Sequence, residues 1–439
     1  MKKVFSAALI FAMVLGMVLG LNAPQAVFAQ TEELIIYNWA EYMDLTLIEE
    51  FKVYYNNKYN TSLEVVYTTF DTNETMMTNI LSGDANVDIT CPSEYAIERL
   101  VRMGLINKLD ISKLSNLDNA DSRIYNMVDG IFDDLIIQGE QEKLSDYFVP
   151  YMWGTLGILY NTNVIRQKDL EQGWGILWNE GNNKNLKKKI LLKDSIRDTY
   201  VAAVLYLKEQ DRLPNNYKDL SVQELINTVD DTLLDLVEEV LIEQKEFLKD
   251  YEVDFGKDEM LAGRAYVNLA WSGDALWAIE DGENLDYFVP ETGGNIWFDG
   301  WVVLKNGKNK RAAYEFIDFL LIPENAIRNS IEIGYTSAVD PNILKQDSAV
   351  VQILEDNEYD VEEYFTNDIR YPEFSEKLGV MKDFGAMNEK AVAMWERVKA
   401  EGSLTWVLIV GIVGVVVIGG GVVAFILFKN NKGKRRKVE

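Results

Sequence analysis

The 439 residues carry 70 acidic against 43 basic side chains, a single cysteine and no histidine, for a net charge of −27. Such an acidic excess repels nucleic acid and gathers cations, so nucleic acid is excluded as a partner. One cysteine allows no intrachain disulfide, and the lack of histidine removes the usual general base and the commonest transition-metal ligand, so no metal and no cofactor is expected.

In chain order, Met1-Lys2-Lys3, an apolar run over 4–21 and the small-residue pattern Val27-Phe28-Ala29 predict a secretory signal peptide over 1–29. Extended segments over 34–37, 63–68 and 87–90 then alternate with helical ones over 45–55, 75–81 and 95–103. That rhythm argues an α/β fold with a mostly parallel sheet covered on both faces. Asp71-Thr72-Asn73-Glu74 reads as a capping box with Asp71 in the cap place and Glu74 reaching back. Cys91, at the end of an apolar strand, reads as packing. Past the acidic stretch 110–146, Pro150 and Gly154 mark a crossing between domains, ahead of a strand over 157–161. A lysine-rich loop over 184–189, a strand over 190–192 and amphipathic helices over 222–248 frame the second domain.

The richest stretch follows. A strand over 265–271 meets a helix opened by Ser272 and Gly273, placing Trp271 and Asp274 at a strand-to-helix turn, where open α/β sheets bind ligands. Trp297 and Asp299 are two apart in an extended run, so their side chains leave one face. A tryptophan face attracts a cation through its quadrupole and an aspartate attracts it by charge, so two such pairs converging make a box for an organic cation. Either pair alone would equally suit a core or a helix cap.

A strand over 301–304 and a helix over 311–321 come next. A last helix over 387–399 carries Val392, Trp395 and Val398 on one face. Residues 404–428 are 25 uncharged residues, enough for a transmembrane helix, and the tail 429–439 holds six basic residues. The positive-inside rule puts that tail in the cytoplasm and the preceding chain outside. Without signal and tail the exported part has 35 basic and 69 acidic side chains, about −34. Only 401–403 separate the last helix from the span, a reach of roughly 10 Å at most, so the globular part is expected against the bilayer.

Several ordered motifs resemble one family, the polyamine-binding proteins of ABC importers of the spermidine/putrescine type. They are Tyr37-Asn38-Trp39-Ala40-Glu41-Tyr42, Asn73-Glu74-Thr75-Met76, Pro92-Ser93-Glu94-Tyr95, Pro150-Tyr151-Met152-Trp153-Gly154, the run from Leu192 to Asp198, the stretch around Trp271 and Trp297, Ile333-Gly334-Tyr335 and the last helix. The resemblance covers about 33–400 and implies a two-lobed periplasmic-binding-protein fold of type II with the ligand in the interlobe cleft, plus one C-terminal transmembrane helix. It implies lobe one over 31–153 and 298–345 and lobe two over 154–297 and 346–400. The expected partners are a polyamine, an ABC permease and, through the last helix, the membrane.

Carried over by the resemblance, Trp39, Tyr42, Tyr95, Trp271, Trp297 and Tyr335 would wall the cleft. Glu41, Asp198 and Asp299 would hold ammonium groups and Ser93 would add a hydroxyl. A polyamine alternates methylenes with ammonium groups, so it needs apolar faces that tolerate positive charge. Ala40, Ser195 and Met381 depart from the spermidine-binding pattern, where a threonine, an acid and a glutamine are expected. Asp274 resembles an acid of the putrescine-binding relatives, and together these differences favour a diamine. Two other readings stay open: a membrane-tethered polyamine sensor without transport, and a carboxylate-based glycoside hydrolase.

Overall fold

A computed structural model describes residues 31–83 and 86–401. The expected signal segment 1–29, span 404–428 and tail 429–439 lie outside these residues. Among the described residues no helix is long and apolar enough to cross a membrane.

The strands are β1 Thr31–Trp39, β2 Ser62–Phe70, β3 Ile89–Thr90, β4 Ile136–Ile137, β5 Glu140–Gln141, β6 Val149–Asn161, β7 Ile190–Lys193, β8 Leu248–Glu252, β9 Val267–Trp271, β10 Leu285–Phe288, β11 Gly294–Val303, β12 Thr336–Ser337 and β13 Leu378–Gly379. β4 and β5 form a small hairpin. The other eleven join one sheet whose main path runs β2-β1-β3-β11-β6-β9-β7-β8. The first wing is parallel, β1 with β2 and β3, as its βαβ rhythm predicts, and the second is parallel as well, β7 with β8 and β9. The centre is antiparallel, because β6 and β11 are long shared strands that cross from one wing to the other.

Those crossing strands hold the two residues expected to mark a crossing between domains. Pro150 and Gly154 lie inside β6, and the ladder to β11 slips at Asp299/Gly300, with Gly300 opposite Pro150. A proline has no N–H to give to a ladder and is tolerated at a bulge. At the bulge the Gly300 N–H donates to the Pro92 carbonyl at 3.0 Å, tying the bulge to the turn that carries Ser93.

The helix Leu45–Tyr59 shows how local signals set each wing. Asp44 caps it by accepting from the Thr46 N–H, Leu47, Ile48, Phe51 and Tyr55 bury one face, and left-handed Asn60 ends it. The capping box expected at Asp71 is shifted by one residue. Thr72, in extended backbone, is the N-cap of the helix Asn73–Ser82 and accepts from Thr75 N at 3.1 Å, so Asp71 stays outside and Glu74 turns toward the cleft. The stretch 222–248 breaks into the helices Val222–Leu225 and Asp231–Gln244 before entering β8.

One core packs the helix Leu45–Tyr59 against the helices Lys310–Leu320 and Pro323–Ile333 through Phe51, Ile317 and Ile327. Leu344, Val350, Leu354 and Tyr364, from the helices Pro341–Gln346, Ser348–Asp356 and Val361–Thr366, are buried in the same core. Residues 346–366, expected in lobe two, therefore pack with the first wing, because their apolar face matches the helix Pro323–Ile333. The last helix, Asn388–Ala400, buries Ala391, Met394, Trp395 and Val398 in the core of the second wing, while Val392 is half-buried.

Candidate functional site

Between the wings lies an open cleft of about 830 Å³, and all eleven residues singled out from the sequence line it. Most stand where the chain leaves the carboxyl end of a strand, the place where open sheets bind ligands. Trp39 ends β1, and Glu41 and Tyr42 follow it. Ser93 and Tyr95 open the helix Glu94–Arg102 after β3, Asp198 lies in the first turn of the helix Ile196–Glu209 after β7, and Trp271 and Asp274 link β9 to the helix Ser272–Asp281. Trp297 and Asp299 leave one face of β11, as the spacing predicts, and Tyr335 follows the helix Pro323–Ile333.

Two glycines make room for the aromatic walls. A Cβ on Gly154, opposite Trp297 in the ladder, would come within 2.8 Å of the indole ring, and one on Gly273 within 2.2 Å of the Tyr335 ring. The rings meet edge to face, Tyr42 with Tyr335 at 4.9 Å, Trp297 with Tyr335 at 5.7 Å, and Trp39 with Trp271 at 6.5 Å across the cleft. Trp39 is oriented by its Nε1–H donating to the Cys91 carbonyl at 2.7 Å. The Cys91 side chain itself is buried.

The acids fall into two groups. Asp299 and Asp198 accept only from neutral donors: Asp299 Oδ2 from the Tyr42 hydroxyl at 2.9 Å, and Asp198 Oδ1 from the Trp271 Nε1–H at 3.1 Å. Neither lies within ion-pair distance of a lysine or arginine among the described residues. Asp299 Oδ1 is buried without a well-formed hydrogen bond, as is Trp297 Nε1. Burial pushes the Asp299 carboxyl up to about 7, against the lowering effect of Ser93 and Tyr42. Burial likewise raises Asp198. Ser195, expected to be an acid by the resemblance, caps the helix by accepting the Asp198 N–H at 3.3 Å.

Glu41 and Asp274, also expected as ammonium partners, already have cations. Lys257 Nζ is 2.7 Å from Glu41 and 3.8 Å from Asp274. Lys193 Nζ is 3.2 Å from Asp274 and 2.8 Å from Glu252. Glu41 sits in left-handed backbone at φ 49° with its side chain 64% exposed, so its pair is a rim contact. Asp254, beside both lysines, is pushed up to about 6, chiefly by burial.

Arg197 completes the charge pattern. Its guanidinium lies 3.6 Å from the Phe384 ring centroid and 4.6 Å from that of Tyr95, and donates to the Lys382 carbonyl. Glu74 and Glu94 feel its field, but burial raises both, Glu94 to about 8. A network through the Asn73 amide, which donates to Ser93 Oγ at 3.0 Å and to the Tyr95 hydroxyl at 2.9 Å, fixes this wall.

Sequence reasoning passed over Lys193, Glu252 and Lys257. Lys193 left a signal, a cation closing the apolar strand Ile190-Leu191-Leu192-Lys193 at its carboxyl end. Glu252, the last residue of β8, and Lys257, in the helix Gly256–Leu261, left none.

Buried acids without an ion pair thus stand between aromatic faces in a cleft between the two wings of one sheet. Solved structures place the fold among the periplasmic binding proteins: a Listeria monocytogenes chain assigned to a spermidine/putrescine ABC transporter aligns with a TM-score of 0.67 at 29% identity, over 84% of this chain and 98% of that one. The chain belongs to the bacterial extracellular solute-binding proteins, whose family profile it matches over residues 47–350. It is 29% identical over 329 residues to the spermidine/putrescine-binding periplasmic protein of Salmonella typhimurium, covering 75% of this chain and 82% of that protein. It is 25% identical to the putrescine-binding periplasmic protein PotF of Escherichia coli, over 71% and 79% respectively.

Proposed function

We propose that this chain binds a polyamine outside the cytoplasmic membrane, without catalysis, and hands it to an ABC permease. The observation that carries the reading is the pair Asp198 and Asp299, two buried carboxylates without a cationic partner, held among Trp39, Tyr42, Trp271 and Trp297. A buried unpaired carboxylate is costly, and a ligand ammonium relieves that cost. Charge-assisted hydrogen bonds contribute roughly 1.5–3 kcal/mol each and cation–π contacts roughly 0.5–2 kcal/mol. Micromolar affinity needs only about 8 kcal/mol after association costs. The names of the related proteins point to the same ligand class.

In this reading the first wing, 31–153 with about 298–366, and the second, 154–297 with about 367–400, are lobes that close on the ligand. The signal peptide exports the chain and 404–428 anchor it. Lys245 supports a close approach to the bilayer, since its Nζ donates to the Lys399 carbonyl at 3.1 Å and so ties down the chain just before that segment. Putrescine uptake in cells lacking the chromosomal gene tests the reading. The wild-type chain should restore uptake, an Asp198→Asn/Asp299→Asn variant at equal abundance should not, and equal uptake with both would refute it.

A further inference from the structure

Lys193 is the last residue of β7, and its side chain is 1% exposed although it lines the cleft. Its ammonium makes the contacts that a bound primary amine would seek. It pairs with Glu252 at 2.8 Å and Asp274 at 3.2 Å, donates to the Val253 carbonyl at 2.7 Å, and stands 3.9 Å from the centre of the Trp271 ring. An ammonium has three donors, and all three are used here with an aromatic face besides. Lys257 covers the other oxygen of Asp274. This end of the cleft is therefore filled from within by two lysines, while Asp198 and Asp299 remain without a cation at ion-pair distance.

We propose that Lys193 is a built-in ammonium that occupies one cation position of the cleft and so makes it selective for a diamine over a longer triamine. The inference rests on the polyamine reading and deepens it. Asp198 and Asp299, each hydrogen-bonded to an aromatic wall residue, would take the two charges of a diamine, whereas Glu74 and Glu94, also buried in the cleft, lie in the field of Arg197. The third ammonium of a triamine would have to enter the region held by Lys193, where it meets a like charge and finds both acids taken. Asp274 thus acts on selectivity by holding Lys193, not by touching the ligand.

The test is calorimetric titration of the full chain with putrescine and spermidine, for wild type, Lys193→Met, and Lys193→Met/Glu252→Gln. The double variant removes the cation and one of its acids together, so that it folds where the single variant leaves two buried acids unpaired. Thermal melts establish which variants are folded. Wild type should bind putrescine at least tenfold more tightly than spermidine, and the folded variants should narrow or reverse that ratio at least tenfold as Asp274 becomes free to receive an ammonium. Tighter binding of spermidine by wild type, or folded variants with the wild-type ratio, would overturn the inference while leaving the polyamine reading intact. Failure of wild type to bind either amine would overturn that reading and the inference with it.

Discussion

Asp299→Asn should make the ligand-free chain more stable and bind amines less well, and both changes should depend on pH. Asp299 is 5% exposed and its carboxyl is pushed up to about 7 from an ordinary 3.8, first of all by burial. A folded-state pKa above the unfolded one means that stability is fully present below the unfolded value and is lost as pH rises through the folded one. The window is therefore from about pH 4 to about pH 7. At about 1.4 kcal/mol per pH unit the ionised group costs the empty protein on the order of 4 kcal/mol above pH 7. Asparagine removes that cost, less the strength of its own hydrogen bond to Tyr42. The same change deletes one charge-assisted bond to the ligand, roughly 1.5–3 kcal/mol or about ten- to a hundredfold in Kd. Thermal melts of both proteins without ligand, from pH 5 to pH 8, should show the variant's advantage growing with pH and levelling off above 7. Wild-type affinity should fall as pH drops below 7, because the carboxylate must ionise to pair while the amine stays protonated. A variant with no pH-dependent gain in stability and unchanged affinity would refute the reasoning.

Asp198→Asn should weaken polyamine binding at least tenfold by titration, whereas Glu41→Gln should change it less, since Glu41 is largely exposed and already paired with Lys257; equal effects would place the ligand at the rim. Gly154→Ala puts a Cβ within 2.4 Å of Ser272 Oγ and 2.8 Å of the Trp297 ring, and Ser272 is held by the Thr155 N–H at 3.1 Å. It should therefore cost about 1–3 kcal/mol in denaturant unfolding and weaken binding as well, and a neutral result would mean that Trp297 moves freely. A chain ending at Ser403 should move from the membrane to the soluble fraction on sedimentation, and a truncated chain that still pellets with membranes would remove the anchor from the account.

The wings were legible because each helix and strand carries its own signal, as with the continuous apolar run over 34–37 before Trp39 and the face made by Leu47, Phe51 and Tyr55. The central strands were underestimated. Pro150 and Gly154 mark a crossing between domains in the sequence, and only the bulge at Asp299/Gly300 and the ring of Trp297 give them a place inside a long strand. Of the singled-out residues lining the cleft, Trp271, Asp274, Trp297 and Asp299 are legible in local pattern, and the others only through the resemblance of ordered motifs to one family. Their pairing was hidden. Nothing near Asp274 in sequence shows that Lys193, 81 residues away, holds it, or that Lys257 reaches Glu41 across 216 residues. Charge partners set by tertiary closure leave no periodic signal. Likewise the apolar faces of 346–366 announce helices but not which wing they cover.

Polyamine binding in the cleft can be measured by titration calorimetry of the purified full chain with putrescine, spermidine, cadaverine and an amino acid. At least one polyamine should bind saturably at micromolar concentration, quenching or shifting tryptophan fluorescence as Trp39, Trp271 and Trp297 are covered, and the amino acid should not bind. An absence of heat and of any spectral change with every polyamine at millimolar concentration would contradict it.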